Sequence, residues 1–424
     1  MTSMKKIKLH WQILIAILFG IGFGYLFTDS VKYITWIGDV FIRMLKMIII
    51  PLIFSSIISG VSSIQGGREF GKLTFKTWLY YISSSLAAIL TGLVLVNLIQ
   101  PGVGAQIGFT EDVSKFKSNN SSFSDILMNI IPTNILKASV EEQMLSLIFF
   151  AMFIGFFINR IPNEHYRNLL KDFANATFEL MMKITRFIIK ITPFGVFAIL
   201  AGIVAKNVDN LYEIFSRLGL YSVTVLGALA FHFLITLPLY LRLFGKVKPY
   251  HHIKSLSSAL LTAFSTCSSS ATLPVTMDNL RKNSGVSNKI TSFVMPLGAT
   301  VNMDGTALYE CVAAIFIAQA YGIELSVMEQ IIIVLTSLLA SIGAAGIPMA
   351  GFFMLTIILN AVGLPLEGVG LILAVDRILD MFRTCTNTFS DSVGTVIIAN
   401  SEGEKLKDSI YGFKDIGLTD NEED

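Results

Sequence analysis

The chain has 424 residues, of which 53% are hydrophobic and only 15% are charged, and its mean hydropathy is +0.67. Soluble proteins carry about 25% charged residues, so this composition excludes both a soluble globular enzyme and a disordered chain. The formal net charge of +2 leaves no basic excess with which to bind phosphates, which argues against nucleic acid as a partner.

The first predicted element is a membrane helix from about Trp11 to Phe27, preceded by lysines. The apolar run is long for a signal peptide and no small-residue cleavage site follows it, so we expect it to be retained. Further apolar segments follow at 38–63, 78–99, 144–159, 176–205, 218–243, 289–320, 326–360 and 368–399. About 20 helical residues cross the hydrocarbon, so the longer segments must tilt, bend or fold back.

The basic residues predict the orientation in the membrane. They cluster before the first helix and in two loops, at Arg68, Lys72 and Lys76 and at Arg242, Lys246, Lys248 and Lys254. If the helices alternate, all three clusters lie on one side, and the positive-inside rule places that side in the cytoplasm. We therefore expect a multi-pass protein of the cell membrane with both termini cytoplasmic. The segment from Ser401 to Asp424 carries eight acidic and three basic residues, which indicates a solvated tail.

The first of three polar breaks in the later apolar segments runs from Ser265 to Pro274. Unpaired backbone is costly in lipid, so such a break survives only inside protein or beside a watery cavity, where secondary transporters bind their substrates. The apolar arm before it, Leu256 to Phe264, is too short to span. We predict a re-entrant hairpin whose hydroxyl groups face an anion, and the alternative is a polar loop outside the membrane.

The second break is Asn302-Met303-Asp304-Gly305-Thr306. In a regular helix Asn302 and Asp304 would point about 200° apart, and an aspartate facing lipid costs roughly 2.5–3.5 kcal/mol. An unwound turn at Gly305 would bring the two side chains together, and their oxygens are the ligands that a hard cation prefers. The alternative is a buried, hydrogen-bonded kink.

The third break, from Ala340 to Gly351, contains three glycines and a proline, which a straight helix accommodates only at a cost. We predict a second re-entrant hairpin with a mobile tip. The alternative is a glycine-kinked helix packed closely on a neighbour.

The last apolar segment carries a line of polar side chains on one helix face, within a sector of about 80°. They are Asp376, Asp380, Arg383, Asn387 and Asp391, with Thr384 beside them and Arg377 off to one side. Charged residues on a membrane helix face protein or a cavity. A ligand site explains them, and the alternative is a structural ladder of ion pairs.

Together the motifs SSSATLP, NMDGT, ASIGAAGIPMAG and DRILDMFRTCTNTFSD resemble the glutamate transporter family. These dicarboxylate/amino acid:cation symporters include animal excitatory amino acid transporters and archaeal aspartate transporters. The resemblance covers nearly the whole chain and is most specific from residue 256 to 399.

The resemblance implies an all-α polytopic membrane protein with eight transmembrane helices, two re-entrant helical hairpins and inverted repeats, assembled as a homotrimer among membrane lipids. The scaffold would comprise helices 1–2 (1–75) and, after an extracellular loop, helices 4–5 (101–215). The moving part would comprise helix 3 (76–100) and the core of helix 6, hairpin 1, helix 7, hairpin 2 and helix 8 (216–400). The acidic cytoplasmic tail would be 401–424.

The resemblance also implies the ligand contacts. The substrate ammonium group would bind Asp380 and its side-chain carboxylate Arg383. The full substrate set is Ser269, Thr306, Ile347, Gly351, Asp380, Arg383, Thr384 and Asn387. Three sodium sites are implied: Gly298, Asn302, Asn387 and Asp391; a deeper one at Tyr81, Ser84, Ser85, Asn302 and Asp304; and backbone oxygens of Thr300, Ser341, Ile342 and Ala344. The second arginine that some members carry, at the positions of Cys267 or Met381, is absent here.

The leading hypothesis is therefore import of an acidic amino acid, aspartate or glutamate, coupled to sodium ions by an elevator-type mechanism without an organic cofactor. Proton coupling, another dicarboxylate or a neutral amino acid remain alternatives. An enzyme is disfavoured because no nucleophile elbow or metal-binding histidine pair is present, and His251 and His252 are expected at the surface. A channel is disfavoured because no segment resembles a selectivity filter.

Overall fold

The structure is a computed structural model that describes residues 9–62, 68–105, 131–141, 144–206, 208, 211–343 and 350–407. The described residues form α-, 3-10 and π-helices and contain no β-strand. The predicted all-helical class is therefore confirmed. The long helices are α1 (Leu9–Leu26), α2 (Thr35–Ser62), α3 (Arg68–Ile99), α4 (Met144–Ile158), α5 (Glu164–Lys206), α6 (Leu211–Gly245), α7a (Asn288–Val301), α7b (Asp304–Ala320) and α8 (Val369–Ser401).

Two pairs of short helices lie between the long ones. Hairpin 1 consists of Ser257–Thr266 and Ser269–Asn279, and hairpin 2 of Val327–Gly343 and Ala350–Ala361. Residues 344–349 of hairpin 2 lie outside the described part of the chain. Smaller helical segments lie at Thr28–Tyr33, Ile135–Val140, Pro249–Ser255, Leu280–Ser284 and Leu366–Gly368.

Among the described residues, three helical stretches are long and apolar enough to cross a membrane: Lys72–Ile99, Leu211–Gly245 and Asn288–Ala320. A fourth is α5, if its two parts, which meet at a bend of 49°, count as one span. Shorter apolar helices lie at Trp11–Leu26, Ile50–Ser62, Ser146–Ile158 and Val327–Ile342.

The first helices pack on α5. Both α1 and α2 lie along it, and α4 packs on α2. Small residues allow the close approach: a Cβ added at Gly24 of α1 would lie 2.6 Å from the carbonyl oxygen of Ala201 in α5. Such contacts between small residues are typical of helices that pack in lipid, where there is little hydrophobic gain from association.

The second group of helices surrounds α7b, which packs on α3, α6, α8 and both arms of hairpin 2. Every residue of α7b except Gln319 is buried, as expected for a helix that is apolar on all sides. The polar residues at its start are therefore drawn into the protein core, where they must find partners in the protein.

The break in the seventh helix differs from its predicted position. The regular helix stops at Val301 and resumes at Asp304, so the unwound residues are Asn302 and Met303, and Gly305 is helical. Gly305 is needed for another reason. A Cβ there would lie 2.7 Å from the carbonyl oxygen of Arg383, so glycine lets α7b approach α8 closely.

The expectation of a surface position is wrong for His252, which is fully buried. Its Nε2 lies 3.2 Å from Ser392 Oγ of α8, and its ring packs beside that of Phe389. The basic sequence around it indicated exposure, but the short helix Pro249–Ser255 turns this one side chain inward.

Acid should destabilise the fold through His252. Burial lowers the pKa of its imidazole to about 3, whereas an unfolded histidine titrates near 6.5. The neutral ring thus contributes its full stability above about pH 6.5, and that contribution falls as the pH drops toward 3; at pH 5 the loss is about 2 kcal/mol. Thermal unfolding at pH 7.5 and pH 5 should show a smaller acid shift for His252→Gln than for the wild type. The exposed His165→Gln serves as control, and equal acid shifts in all three proteins would contradict the assignment.

Candidate functional site

The polar face predicted on α8 points into the protein. Its side chains Asp376, Asp380, Arg383, Asn387 and Asp391 are at most 4% exposed. Hairpin 1, α7a, α7b and α6 pack around this helix. Thr384 is buried beside them.

Arg383 is at the centre of a group of charged side chains in the N-terminal half of this face. Its Nε and Nη2 donate to Asp380 Oδ1 at 3.1 and 2.6 Å, and its Nη1 donates to Asp376 Oδ1 at 3.3 Å. The guanidinium lies over the ring of Tyr309 of α7b, 4.3 Å from its centroid. The ion-pair ladder considered from the sequence is thus present between these residues, and Tyr309 adds a cation–π contact.

Hairpin 2 and the start of α7b enclose this group. A Cβ at Gly351 would lie 2.8 Å from Arg383 Nη1 and 3.1 Å from Thr306 Cγ2. Asn387 joins α8 to α7b: its Oδ1 accepts from the backbone N–H of Gly305 at 2.8 Å, and its Nδ2 donates to Thr306 Oγ1 at 3.0 Å. The predicted substrate residues Thr306, Gly351, Arg383 and Asn387 therefore meet in space.

Hairpin 1 approaches α8 from another side. Cys267 takes a left-handed conformation with φ of 51°, and Ser268 Oγ accepts from the N–H of Ala271, which starts the second arm. Ser269 is the first residue of that arm and is buried. The first arm contacts α8 through Phe264, whose ring meets Phe382 edge to face at 5.2 Å. Ile347, the remaining predicted substrate residue, lies outside the described residues.

A second polar cluster surrounds Asp304. Ser85 Oγ donates to Asp304 Oδ1 at 2.6 Å, Ser390 Oγ donates to Oδ2 at 2.6 Å, and His232 Nε2 lies 3.1 Å from Oδ2. Ser84 Oγ lies 3.2 Å from Asn302 Oδ1 and 3.3 Å from Asp304 Oδ1. Four of the five residues predicted for the deeper sodium site thus share one cluster, because the unwound Asn302 and Met303 let both polar side chains face α3.

Tyr81, the fifth member, lies beside Asp391 and not in the cluster around Asp304. Its hydroxyl donates to the carbonyl oxygen of Val294 at 2.8 Å. A Cβ at Gly298 would lie 2.8 Å from this hydroxyl and 2.6 Å from Asp391 Oδ1. Asn302 Nδ2 donates to Asp391 Oδ1 at 2.9 Å and so connects the two predicted cation sites.

The third predicted sodium set is less complete. Thr300 Oγ1 donates to the carbonyl oxygen of Leu297, and Ser341 Oγ to that of Leu338. Ser341 is buried, Ile342 is partly buried, and their helix contacts α7a. Ala344 lies outside the described residues. In the described part of the chain, no group of three or more His, Cys, Asp and Glu residues is arranged to hold a metal ion.

Comparison with known proteins identifies the family. Residues 9–401 match the sodium:dicarboxylate symporter family. The chain belongs to this family. A proton/sodium-glutamate symport protein of Geobacillus stearothermophilus is 37% identical, over 95% of this chain and 96% of the relative. Excitatory amino acid transporter 3 of Mus musculus is 35% identical over 95% and 88%, and a proton/glutamate-aspartate symporter of Escherichia coli (strain K12) is 35% identical over 94% of each chain.

Membership of the sodium:dicarboxylate symporter family confirms the resemblance seen in the sequence motifs. The relatives are transporters, so the chain is a membrane transport protein and not an enzyme. Their names include both sodium and proton symport. Membership of the family therefore does not decide between sodium ions and protons as the coupling ion.

Three residues of this symporter's core were not singled out from the sequence. Ser390 and His232 complete the shell around Asp304, and Glu310 of α7b is fully buried. Neither carboxylate oxygen of Glu310 has a hydrogen-bond partner among the described residues. A single acid in the apolar run that follows Thr306 was a usable signal for Glu310. His232 begins a π turn, a local distortion common at functional sites, but only the structure reveals it.

Gly351→Ala should weaken substrate binding in this symporter. The added methyl would stand 2.8 Å from Arg383 Nη1, so either the guanidinium or the hairpin arm must move. We expect aspartate affinity to fall by about tenfold or more, since overpacking a closely packed site costs about 1–3 kcal/mol, and about 1.4 kcal/mol is tenfold in affinity. Isothermal titration of purified Gly351→Ala measures this, with Gly219→Ala as the control, because Gly219 is exposed on α6 and an added Cβ there meets no atom within 4 Å. Unchanged affinity would place Gly351 outside the site.

Proposed function

We propose that the chain is a secondary active symporter that imports an acidic amino acid, aspartate or glutamate, together with sodium ions. The observation that carries this proposal is the buried pair of opposite charges on α8, Arg383 and Asp380, beneath Gly351 of hairpin 2. An acidic amino acid carries a carboxylate and an ammonium group, which match these two side chains. The names of the relatives, which include glutamate and aspartate symport, support the same substrate class.

Binding would proceed by exchange of partners. Arg383 would turn from Asp380 to the side-chain carboxylate of the substrate, whose planar shape suits the guanidinium fork. Asp380 would then take the substrate ammonium group. Ser269 at the tip of hairpin 1 and backbone amides would hold the α-carboxylate. The other substrate contacts would come from Thr306, Ile347, Gly351, Thr384 and Asn387. A plain dicarboxylate offers Asp380 no ammonium group, which favours amino acids.

Sodium coupling would use the two polar clusters around Asp304 and Asp391. Within the described part of the chain, Asp304 and Asp391 have no lysine or arginine as an ion-pair partner, although both are buried. The hydroxyl, amide and carboxylate oxygens around them form the hard ligand set that suits sodium as cargo. Because Asn387 and Thr306 belong to the substrate group and Asn302 joins both cation clusters, ion and substrate binding would be linked through α7 and α8.

For the whole molecule, we propose eight transmembrane helices and two re-entrant hairpins, related by inverted repeats, in a homotrimer with both termini in the cytoplasm. The packing of α1, α2, α4 and α5 on one another supports a scaffold made of these helices. The packing of α3, α6, α8 and the hairpins around α7 supports a single moving unit, as an elevator mechanism requires. The third sodium site would use Thr300, Ser341, Ile342 and Ala344.

Uptake of radiolabelled aspartate and glutamate into proteoliposomes tests the proposal. Vesicles would carry an imposed sodium gradient, an imposed proton gradient, both or neither. We expect uptake to require the inward sodium gradient and to exceed the passive level only for acidic amino acids. Uptake that does not depend on the sodium gradient would contradict the proposed sodium coupling. Failure to take up either amino acid would contradict the proposed substrate class.

A proton-coupled symporter is the second candidate, and Glu310 favours it. A fully buried carboxyl with no hydrogen-bond partner among the described residues is costly to ionise, so it suits a group that carries a proton across the membrane. It lies on α7b one residue from Tyr309, which contacts Arg383, and is therefore close to the substrate group.

If protons are co-transported, Glu310→Gln should remove the dependence of uptake on an imposed pH gradient and leave the sodium dependence in place. The amide keeps the shape of the side chain but cannot release a proton. Uptake would be measured at constant internal pH with external pH from 5.5 to 8, and the exposed Glu324→Gln is the matched control. A pH-gradient effect that survives in Glu310→Gln would exclude this residue as the proton carrier.

A further inference from the structure

A second arginine of α8, Arg377, reaches the charged side chains around Arg383. Its Nη1 lies 3.8 Å from Asp380 Oδ2, and its side chain is 18% exposed while that of Asp380 is 4% exposed. The helical spacing places Arg377 to one side of the polar face. Its long side chain nevertheless extends one turn along the helix to Asp380. Asp380 is thus held from two directions: Arg383 binds Oδ1, and Arg377 faces Oδ2.

Arg377 balances the charges of the ion pairs on α8. Two carboxylates, Asp376 and Asp380, stand against two guanidiniums, Arg377 and Arg383. An unpaired charge at a buried position is costly. If Arg383 leaves Asp380, Arg377 remains as a cationic partner at Oδ2 of the same carboxylate. Oδ1 can then accept from a new donor.

We propose that Arg377 is a positioning residue of the acidic-amino-acid site, which holds Asp380 through Oδ2 so that Oδ1 can pass from Arg383 to the substrate ammonium group. The inference rests on the proposed function. Arg377 does not touch the substrate in this scheme. It keeps the Asp380 carboxylate oriented during the exchange.

The test compares Arg377→Gln, Arg377→Met and Arg377→Lys with the wild type. Purified proteins would be titrated with aspartate at saturating sodium, and uptake would be measured in proteoliposomes to separate KM from kcat. Arg281→Gln, which removes an exposed arginine outside the site, is the control for loss of charge. Thermal unfolding reports whether each variant is folded, and Arg377→Lys with Arg377→Met still decides the question if Arg377→Gln does not fold.

We expect Arg377→Gln and Arg377→Met to weaken aspartate binding and raise KM by about tenfold with kcat nearly unchanged, because one partly exposed charge pair is lost. Arg377→Lys should stay within about threefold of the wild type. Affinity within twofold of the wild type in the neutral variants would overturn the proposal, as would an equal loss in Arg377→Lys, since the charge would then be irrelevant. Failure of the wild type itself to bind aspartate would instead overturn the proposed function.

Discussion

Arg383→Cys should lose aspartate and glutamate while keeping, or gaining, small neutral amino acids such as serine. The guanidinium pairs with Asp380 and lies against hairpin 2. Loss of a charge-assisted hydrogen bond of about 1.5–3 kcal/mol corresponds to a roughly 10- to 150-fold weaker affinity. Titration of the purified variant with aspartate, serine and succinate measures the change in selectivity.

Stability must be controlled in this experiment, because Arg383 also neutralises two buried carboxylates. Removing one partner of a buried ion pair can cost about 3–5 kcal/mol. The double variant Arg383→Cys with Asp376→Asn removes one of the carboxylates left unpaired, and Asp376→Asn alone is its matched control. Aspartate affinity within about twofold of the wild type would remove Arg383 from the site. Loss of every substrate together with a lower unfolding temperature would favour a purely structural ion pair.

Asp304→Asn should abolish sodium-driven transport. The carboxylate accepts hydrogen bonds from Ser85 and Ser390 and lies within 3.1 Å of His232. An amide of the same shape carries no charge for a cation and turns one acceptor into a donor facing these groups. We expect sodium-dependent uptake to fall by about 100-fold or more, which exceeds the 10- to 100-fold typical of groups that only support a metal ligand.

The controls separate the two cation clusters. Asp391→Asn should weaken the sodium dependence of aspartate binding but leave measurable transport, because Asn302 and Tyr81 remain beside it. The surface variant Asp278→Asn should leave sodium titrations unchanged. If aspartate affinity of the wild-type protein does not vary with sodium concentration, neither cluster is a coupling site.

Much of the fold follows from local sequence patterns. Long apolar runs predict helices, because a helix satisfies all its backbone hydrogen bonds within one segment where no water is available. The breaks at Ser265–Pro274, Asn302–Thr306 and Ala340–Gly351 mark where helices end, and all three coincide with interruptions or with the undescribed tip of hairpin 2. The spacing of five polar residues places them on one face of α8, which the structure bears out through their burial.

Tertiary structure alone decided which of these groups meet. The sequence predicts that Asp304 needs partners, but the partners Ser85, His232 and Ser390 come from three other helices, separated from it by 72 residues or more. Likewise His252 is buried although its neighbours are basic, and Arg377 reaches Asp380 from outside the polar face. Local periodicity describes the direction of a side chain relative to its own helix. Burial and contact depend on where other helices pack, and that is set by the summed fit of distant surfaces.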